Sequence, residues 1–569
     1  MISQLELKLK MWWRGIESPH LQSIFSQYRM PPLERIALRK NKVAKQLLNQ
    51  ARALQRAASV SIPFSAIEDP QTYQHTLRNT IEQHLPRFES AVQHIFTGNK
   101  VSELNRFLKT LVGEKHCIHL WNSPVIEVDE PLCLPAHVLI DGHGAHLVAL
   151  TPVFPASIHI TQNYGGVVNL TLQTHGLAVL IQNAHQIILR NVQISESERG
   201  IAILEKAQFI ELVSIMIDRP KAGMLIQGAV SHVWLHDSYI LRGNRADNGG
   251  AGLVITDACP KTYVEEHSWG VSLTEPLWPI TPFAPHALLI ENNELSGHVA
   301  QGIYIDGGYG IVVKHNRIAD NDKEGMCLDF GAVNNLVMEN TFLNNGWRAR
   351  QTDEHLRADF VLDFGRLADG SSASKLPAIS LDNAAQNLVI WNVIKDSAGD
   401  GIKIVRTGIR NFLLFNMIMD NNRGESSRLH FSGILLGNAQ LETGIDATDH
   451  PLDFLPPLEN IVAGNMIYGQ HYNGILLDHG AMFNDIYDNL VRHFRRVPLA
   501  QASLRYNSIV GNSWQLLRRR TVTIILVGIL CMVIGYSMAH TNLVTEIKKI
   551  TDEIGGLGSK VCQIYSVHK

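Results

Sequence analysis

A glycine that opens a short apolar run returns along this chain at 176, 200, 223, 252, 302, 325, 401, 433 and 474, and Ala378 fills the same role once. Gaps of 23 or 24 residues separate 176 from 200, 200 from 223, 302 from 325 and 378 from 401. The longer gaps fit one period plus an insertion, or two periods. A fixed period of this size marks a stacked repeat, in which each unit buries its apolar face only against its neighbours. From about Cys117 to Val497 helical periodicity is absent and short β-branched runs alternate with Asn, Gly and Asp. Each unit is therefore expected to hold three short strands and three turns.

A second marker keeps the same phase. Asn191, Asn293, Asn316, Asn392 and Asn465 each lie nine residues before the next repeat glycine. Asn340, Asn416 and Asn489 follow Asn316, Asn392 and Asn465 by 24. An amide at one station of every coil suits an inward ladder, because each side chain donates to one neighbouring coil and accepts from the other. Three strands and about 23 residues per coil describe a right-handed parallel β-helix, with successive coils about 4.8 Å apart.

The entry segment CIHLWNSPVIEVDEPLCLPAHVLIDGHGAHL, Cys117–Leu147, resembles the first coil of the pectate-lyase-like superfamily of β-helix proteins, where a short strand leads into l-i-x-G-x-G. The resemblance spans roughly residues 115–500. It implies the fold, and a carbohydrate-active protein that removes a uronate C5 proton as a lyase or C5-epimerase. No family catalytic motif carries over residue by residue.

The repeat itself points to one face. In GIYIDGG (Gly302–Gly308) and GMCLDFG (Gly325–Gly331) the residues one and three past the glycine are expected to point in, and those two and four past it to point out. Asp306, Asp329 and Asp382 then form an outward row on three consecutive coils, neighbours about 5 Å apart and ends about 10 Å. Such a row suits acid/base work on a glycosidic linkage or a Ca²⁺ site. Alternatively, each aspartate ends its strand by accepting turn amides.

Four insertions break the period: Ala258–Pro285, Gly346–Pro377, Arg423–Ser432 and Ala439–Pro457. The first and last follow the glycine strand and the middle two precede it, so all four are expected to wall one sheet, and binding functions gather where insertions do. Trp269, Trp278 and Trp347 in these walls offer rings for sugar faces, beside Tyr304 on the floor. Lys403 takes the outward station in GDGIKIVR, and Arg406 lies just past its strand. Lys403, Arg406 or His298 would serve as base or carboxylate clamp. IDGHGAH also gathers Asp141, His143 and His146, but this spacing alone does not set three metal ligands in a fixed geometry, and it reads as a first-coil turn.

The flanks differ. Residues 1–112 read as helical, with apolar residues at three-to-four spacing over Leu33–Val60 and Gln71–Phe96 and a third helix over Ser102–Val112. Residues 1–60 carry eleven Lys/Arg against three acids, while the whole chain, at a net charge of −3, shows no bias towards nucleic acid. Six scattered cysteines without CxxC spacing suit a reducing compartment. The N-terminus lacks the apolar core of a secretory signal. Thr521–Ala539 is an uncharged stretch of 19 residues behind Arg518, Arg519 and Arg520; as a helix it spans roughly 28 Å, about one bilayer core.

The expected organisation is a helical region at 1–112, a β-helix at 113–500, a basic linker at 501–520, a transmembrane helix at 521–539 and a tail at 540–569. The large part would face the cytoplasm. Function is expected to be lyase, C5-epimerase or glycosidase action on an acidic polysaccharide or glycan. The alternative is a non-catalytic tethered scaffold that binds a glycan or protein.

Overall fold

The computed structural model describes residues 70–111, 113–121, 125–245, 248–257, 283–347, 376–405, 408–423, 431–437, 457–469, 471–478, 481, 483–501 and 507–513. The chain divides into a unit at Met1–Val510 and another at Gly511–Lys569. Thirteen described strands, from Leu132–Leu134 to Val497–Gln501, form one wholly parallel ladder, the glycine sheet. A second sheet runs from Val92–Ile95 to Ser508–Val510, and a third from Val125–Glu127 to Leu490–Arg492. Together they make a parallel β-helix. One coil reads Ile303–Tyr309, Val312–Lys314, Arg317–Ala319 through the three sheets in turn.

Inward side chains supply the core. Ile303, Ile305, Met326, Leu328, Ile379, Leu381, Ile402 and Ile404 are all fully buried, each contributing about 1.5–3 kcal/mol by leaving water. The repeat glycine has a steric cause: a Cβ at Gly302 would lie 2.5 Å from Ile318 Cγ2 and 2.7 Å from the Gly325 carbonyl oxygen. The glycine thus lets the third-sheet side chain of its own coil and the backbone of the next coil close over it.

Asn293, Asn316, Asn340, Asn392, Asn416, Asn465 and Asn489 form the expected ladder. The Asn316 Nδ2 donates to Asn340 Oδ1 at 3.0 Å and to the Ile290 carbonyl at 2.9 Å, while Asn340 Oδ1 also accepts the Asn316 backbone N–H. Two further ladders occupy the other corners. One holds Asn335, Asn387, Asn411, Asn460 and Asn484; the other pairs Asn321 with Asn345. Asn191 is not a rung of the buried ladder; its Nδ2 donates to Asn169 Oδ1 one coil away at 2.9 Å, at the surface. The strands Val138–Val148, Gly165–Gln173 and His185–Ser195 run unbroken through the second and third sheets, and Asn191 bends the last of them at φ 53° with its side chain exposed. Asparagine tolerates that left-handed bend, and here it serves the bend instead of the core.

The N-terminal helices are shorter than the periodicity suggests. Helix α1 is Pro70–His84; Pro86 stops it, because proline offers no N–H and disfavours helix in the residue before it. Val92–Ile95, expected to be helical, instead pairs in parallel with His116–His119 as the opening strand of the second sheet. Leu77 and Ile81 of α1 pack on that sheet with Trp234, Leu289 and Val312. Buried Glu291 anchors the helix, accepting from Arg78 at 2.6 Å, Gln74 at 3.1 Å and Trp234 Nε1 at 2.9 Å. Helix α2, Val101–Leu108, covers the end of the glycine sheet, where Asn105 Oδ1 accepts the Cys133 N–H at 3.0 Å. Among the described residues no helix is long and apolar enough to cross a membrane; Thr521–Ala539 lies outside them.

Candidate functional site

The register sets the aspartates as expected. Asp306 pairs directly with Asp329, and Cys327 and Leu328 pair with Ser380 and Leu381, which carries Asp329 on to Asp382. Asp382 in turn pairs with Val405, and Ser380 with Lys403. The outward rows are therefore Thr256, Asp306, Asp329, Asp382 at one station and Val254, Tyr304, Cys327, Ser380, Lys403 at the other. Strand spacing puts Asp306 and Asp329 about 5 Å apart.

The strands do not end at the first two aspartates. Ile303–Tyr309 and Met326–Val333 continue past them around the corner, through Gly307 at φ 74° and Gly331 at φ 89°, and their pairing shifts register between Asp306 and Gly308. A bulge of this kind re-aims side chains and recurs beside active sites. Only Asp382 closes its strand, with Asn383 following at φ 51°. The turn-terminating alternative thus fits one of the three.

Neighbours make the aspartates unlike one another. Asp306 Oδ2 accepts the Thr256 hydroxyl at 3.3 Å, yet burial, with the charge of Asp257 added, raises its pKa from 3.8 to about 6. Asp329 is 8% exposed and takes the Tyr304 hydroxyl on Oδ2 at 3.3 Å. Tyr304, Cys327 and Ser380 are buried despite their outward station. Asp306, Asp382 and Lys403 keep partial exposure. Tyr304, a candidate for substrate contact, is thus the side chain that holds Asp329. Carboxylate oxygens are the donors Ca²⁺ takes, but among the described residues the three aspartates are not gathered closely enough to hold one ion together.

His298 lies elsewhere. It is buried at the corner between the third and glycine sheets, where its Nδ1 accepts the Gly243 N–H at 3.1 Å. Its Nε2 donates to the Ile240 carbonyl at 2.9 Å. With one nitrogen accepting and the other donating, the ring is neutral, and burial lowers its pKa to about 4. It is a core histidine standing at a ladder station, where its backbone N–H donates to Asn321 Oδ1 at 3.0 Å, and it does not reach the outward face.

Trp347 follows Gly346 at the margin before the glycine strand Ile379–Asp382, where Leu376 N donates to the Gly346 carbonyl at 3.2 Å. The described ends of all four insertions flank glycine strands, on the margins the sequence predicts. Arg406, Trp269 and Trp278 lie outside the described residues. IDGHGAH lies inside the strand Val138–Val148, which bends there at His143 (φ 48°) and Gly144 (φ 83°) with a register shift between Asp141 and Ala145. Asp141 and His143 come together there, but the third group beside them is His119, not His146. A partner 22 residues upstream is one coil away, which the repeat period makes findable.

The family model described as "Periplasmic copper-binding protein (NosD)" matches residues 167–358, and "Right handed beta helix region" matches residues 285–513. No curated protein matches in sequence. Among solved structures, the Azotobacter vinelandii mannuronan C-5 epimerase AlgE4 A-module is 12% identical, over 72% of this chain and 95% of that one, with a TM-score of 0.42. The catalytic unit of a GH87 alpha-1,3-glucanase from Streptomyces thermodiastaticus is 11% identical over 76% and 70%, with a TM-score of 0.43. A PL6 family alginate lyase, AlyGC, is 11% identical over 74% and 53%, with a TM-score of 0.46. Likeness at this level bears on neither substrate nor catalytic residues. With three parallel ladders closing one solenoid, and the family model matching residues 285–513, the described coils of this chain form a right-handed parallel β-helix.

Proposed function

We propose that the outward face of the glycine sheet binds a polysaccharide or glycan and works on it by acid–base chemistry, with Asp306 carrying the proton. The observation that supports this is a carboxyl with a pKa of about 6, paired across one coil with a second carboxyl at a bulge. A group near neutrality can both donate to a leaving oxygen and take the proton back. Hydrolysis asks for two carboxyls about 5–9.5 Å apart, and strand spacing sets Asp329 at about 5 Å and Asp382 at about 10 Å from Asp306. Lys403, beside Asp382's coil, favours a second reading in which a uronate is clamped and its C5 proton removed. The uncharged Thr521–Ala539 stretch supports a membrane tether, with the large part on the cytoplasmic side of the arginines at 518–520.

The test is a proton-NMR time course of the full-length chain with acidic and neutral polysaccharides, with and without Ca²⁺. New reducing ends identify hydrolysis, unsaturated sugars a lyase, and altered uronates an epimerase. Asp306→Asn should lower the rate at least about 100-fold. Turnover by the variant at the wild-type rate removes Asp306 from the chemistry. Glycan binding without turnover leaves the tethered scaffold.

A further inference from the structure

The second sheet carries an unrelated cluster near its first coils. His119 and Asp141 are direct partners across parallel strands, so both side chains leave the same face one coil apart. The bulge at Gly142-His143-Gly144 brings His143 back over them. His119 Nδ1 and His143 Nε2 stand 2.6 Å apart, and Asp141 Oδ2 lies 3.8 Å from the first and 3.4 Å from the second. We infer that these three groups form a binding site for a divalent first-row transition ion of the Zn²⁺ or Cu²⁺ class.

The surroundings orient each donor towards a common point. Gln93 is fixed by its Nε2, which donates to the Ala91 carbonyl at 2.7 Å. That turns its Oε1 to accept from His119 Nε2 at 2.6 Å. His119 therefore spends its one N–H on Gln93 and presents a lone pair at Nδ1. The Asp141 Oδ1 is likewise occupied, accepting the His143 N–H at 3.1 Å and Asn169 Nδ2 at 3.0 Å, which leaves Oδ2 turned to the two rings. A ligand histidine whose far nitrogen is held by an oxygen, and a ligand carboxylate whose far oxygen is held by donors, are the usual outer shell of a metal site.

The separations also fit. Ligand bonds of about 2.0–2.2 Å in a tetrahedron put donors about 3.3 Å apart, and the observed spacings of 2.6, 3.4 and 3.8 Å lie on either side of that value. A proton shared between the two rings would satisfy that pair alone, whereas a dication satisfies both nitrogens and Oδ2 together. Two imidazoles and one carboxylate select borderline ions over Ca²⁺ or Mg²⁺. Three protein donors leave a fourth position for water or a substrate oxygen. Side chains here are about one-fifth to one-third exposed, so an ion has a way in. The edge of Trp121 lies against His143, with ring centres 4.8 Å apart, and shelters one side.

The test is calorimetric titration of the chelator-treated full-length chain with ZnCl₂, with CaCl₂ as the hard-ion control. One Zn²⁺ per chain is expected to lose at least about tenfold in affinity in His119→Ala, His143→Ala and Gln93→Ala, and nothing in His146→Ala. Zn²⁺ should also protect His119 and His143 of the unaltered chain from diethyl pyrocarbonate, read by peptide mass, which does not depend on any variant folding. Binding unchanged in both histidine variants, no heat with ZnCl₂, or absence of protection would overturn the assignment.

Discussion

Asp306→Asn should stabilise this protein at pH 7.5 and do much less at pH 4.5. The carboxyl titrates near 3.8 when unfolded and about 6 when folded, because burial and Asp257 both disfavour its charge. Between those values the folded state holds a proton that the unfolded chain has released, so stability falls as pH rises through the window and the penalty is complete above about 6. A difference of about two units corresponds to about 3 kcal/mol at pH 7.5, and linkage leaves about 1 kcal/mol at pH 4.5. Asparagine keeps the shape and an oxygen for the Thr256 hydroxyl while shedding the charge. Urea unfolding followed by far-ultraviolet circular dichroism at the two pH values reads the difference directly. The expected signature is a higher midpoint for the variant at pH 7.5, with the gain shrinking by roughly two-thirds at pH 4.5. A loss of stability at pH 7.5, or an equal gain at both, would show that the charge on Asp306 is not what the fold opposes.

Asn340→Ala should cost about 3 kcal/mol or more in the same assay, since it takes the acceptor from the backbone N–H of Asn316 and from one of its two Nδ2 hydrogens inside the solenoid. Asn191→Ala, at an exposed bend in the left-handed region, should cost less, about 1–2 kcal/mol. Gly302→Ala should lower the urea midpoint by the equivalent of about 1–3 kcal/mol, because its Cβ would press on Ile318 and the Gly325 carbonyl. If Thr521–Ala539 spans a bilayer, alkaline carbonate should leave the chain in the membrane pellet while a chain ending at 516 is released; release of both would remove the anchor.

The solenoid was legible because its causes repeat. Gly302 and Gly325 answer to the same crowding one coil apart, and Asn316 and Asn340 to the same hydrogen bonds. A cause that recurs every 23 or 24 residues leaves a period. The two other asparagine ladders carried a signal as well: Asn335, Asn340 and Asn345 stand five apart, as do Asn411, Asn416 and Asn421. Asn191 misled because the station is defined by number along the chain, whereas its strand bends instead of breaking there. Gln71–Phe96 misled in the opposite way, since apolar spacing continued past Pro86 although the backbone could not.

Chemistry is less legible, since it lives in what differs between coils. Asp306 and Asp329 hold the same repeat station, in phrases that differ by only a few letters, yet each is shaped by the coil before it. Asp329 follows Tyr304, whose hydroxyl reaches it, while Asp306 follows Thr256 and Asp257, a donor and a second charge. The same logic joins His119 to Asp141, which no local motif contains, because one coil of 22 residues makes them neighbours. In a parallel solenoid the residue that tunes a side chain stands one period away, and there the sequence can be read two-dimensionally: along the strand for the fold, across the coils for the site. On that reading the bulge after Asp306 matters most, because it follows a carboxyl that burial and Asp257 push up to about 6, where the coil before it departs from the repeat.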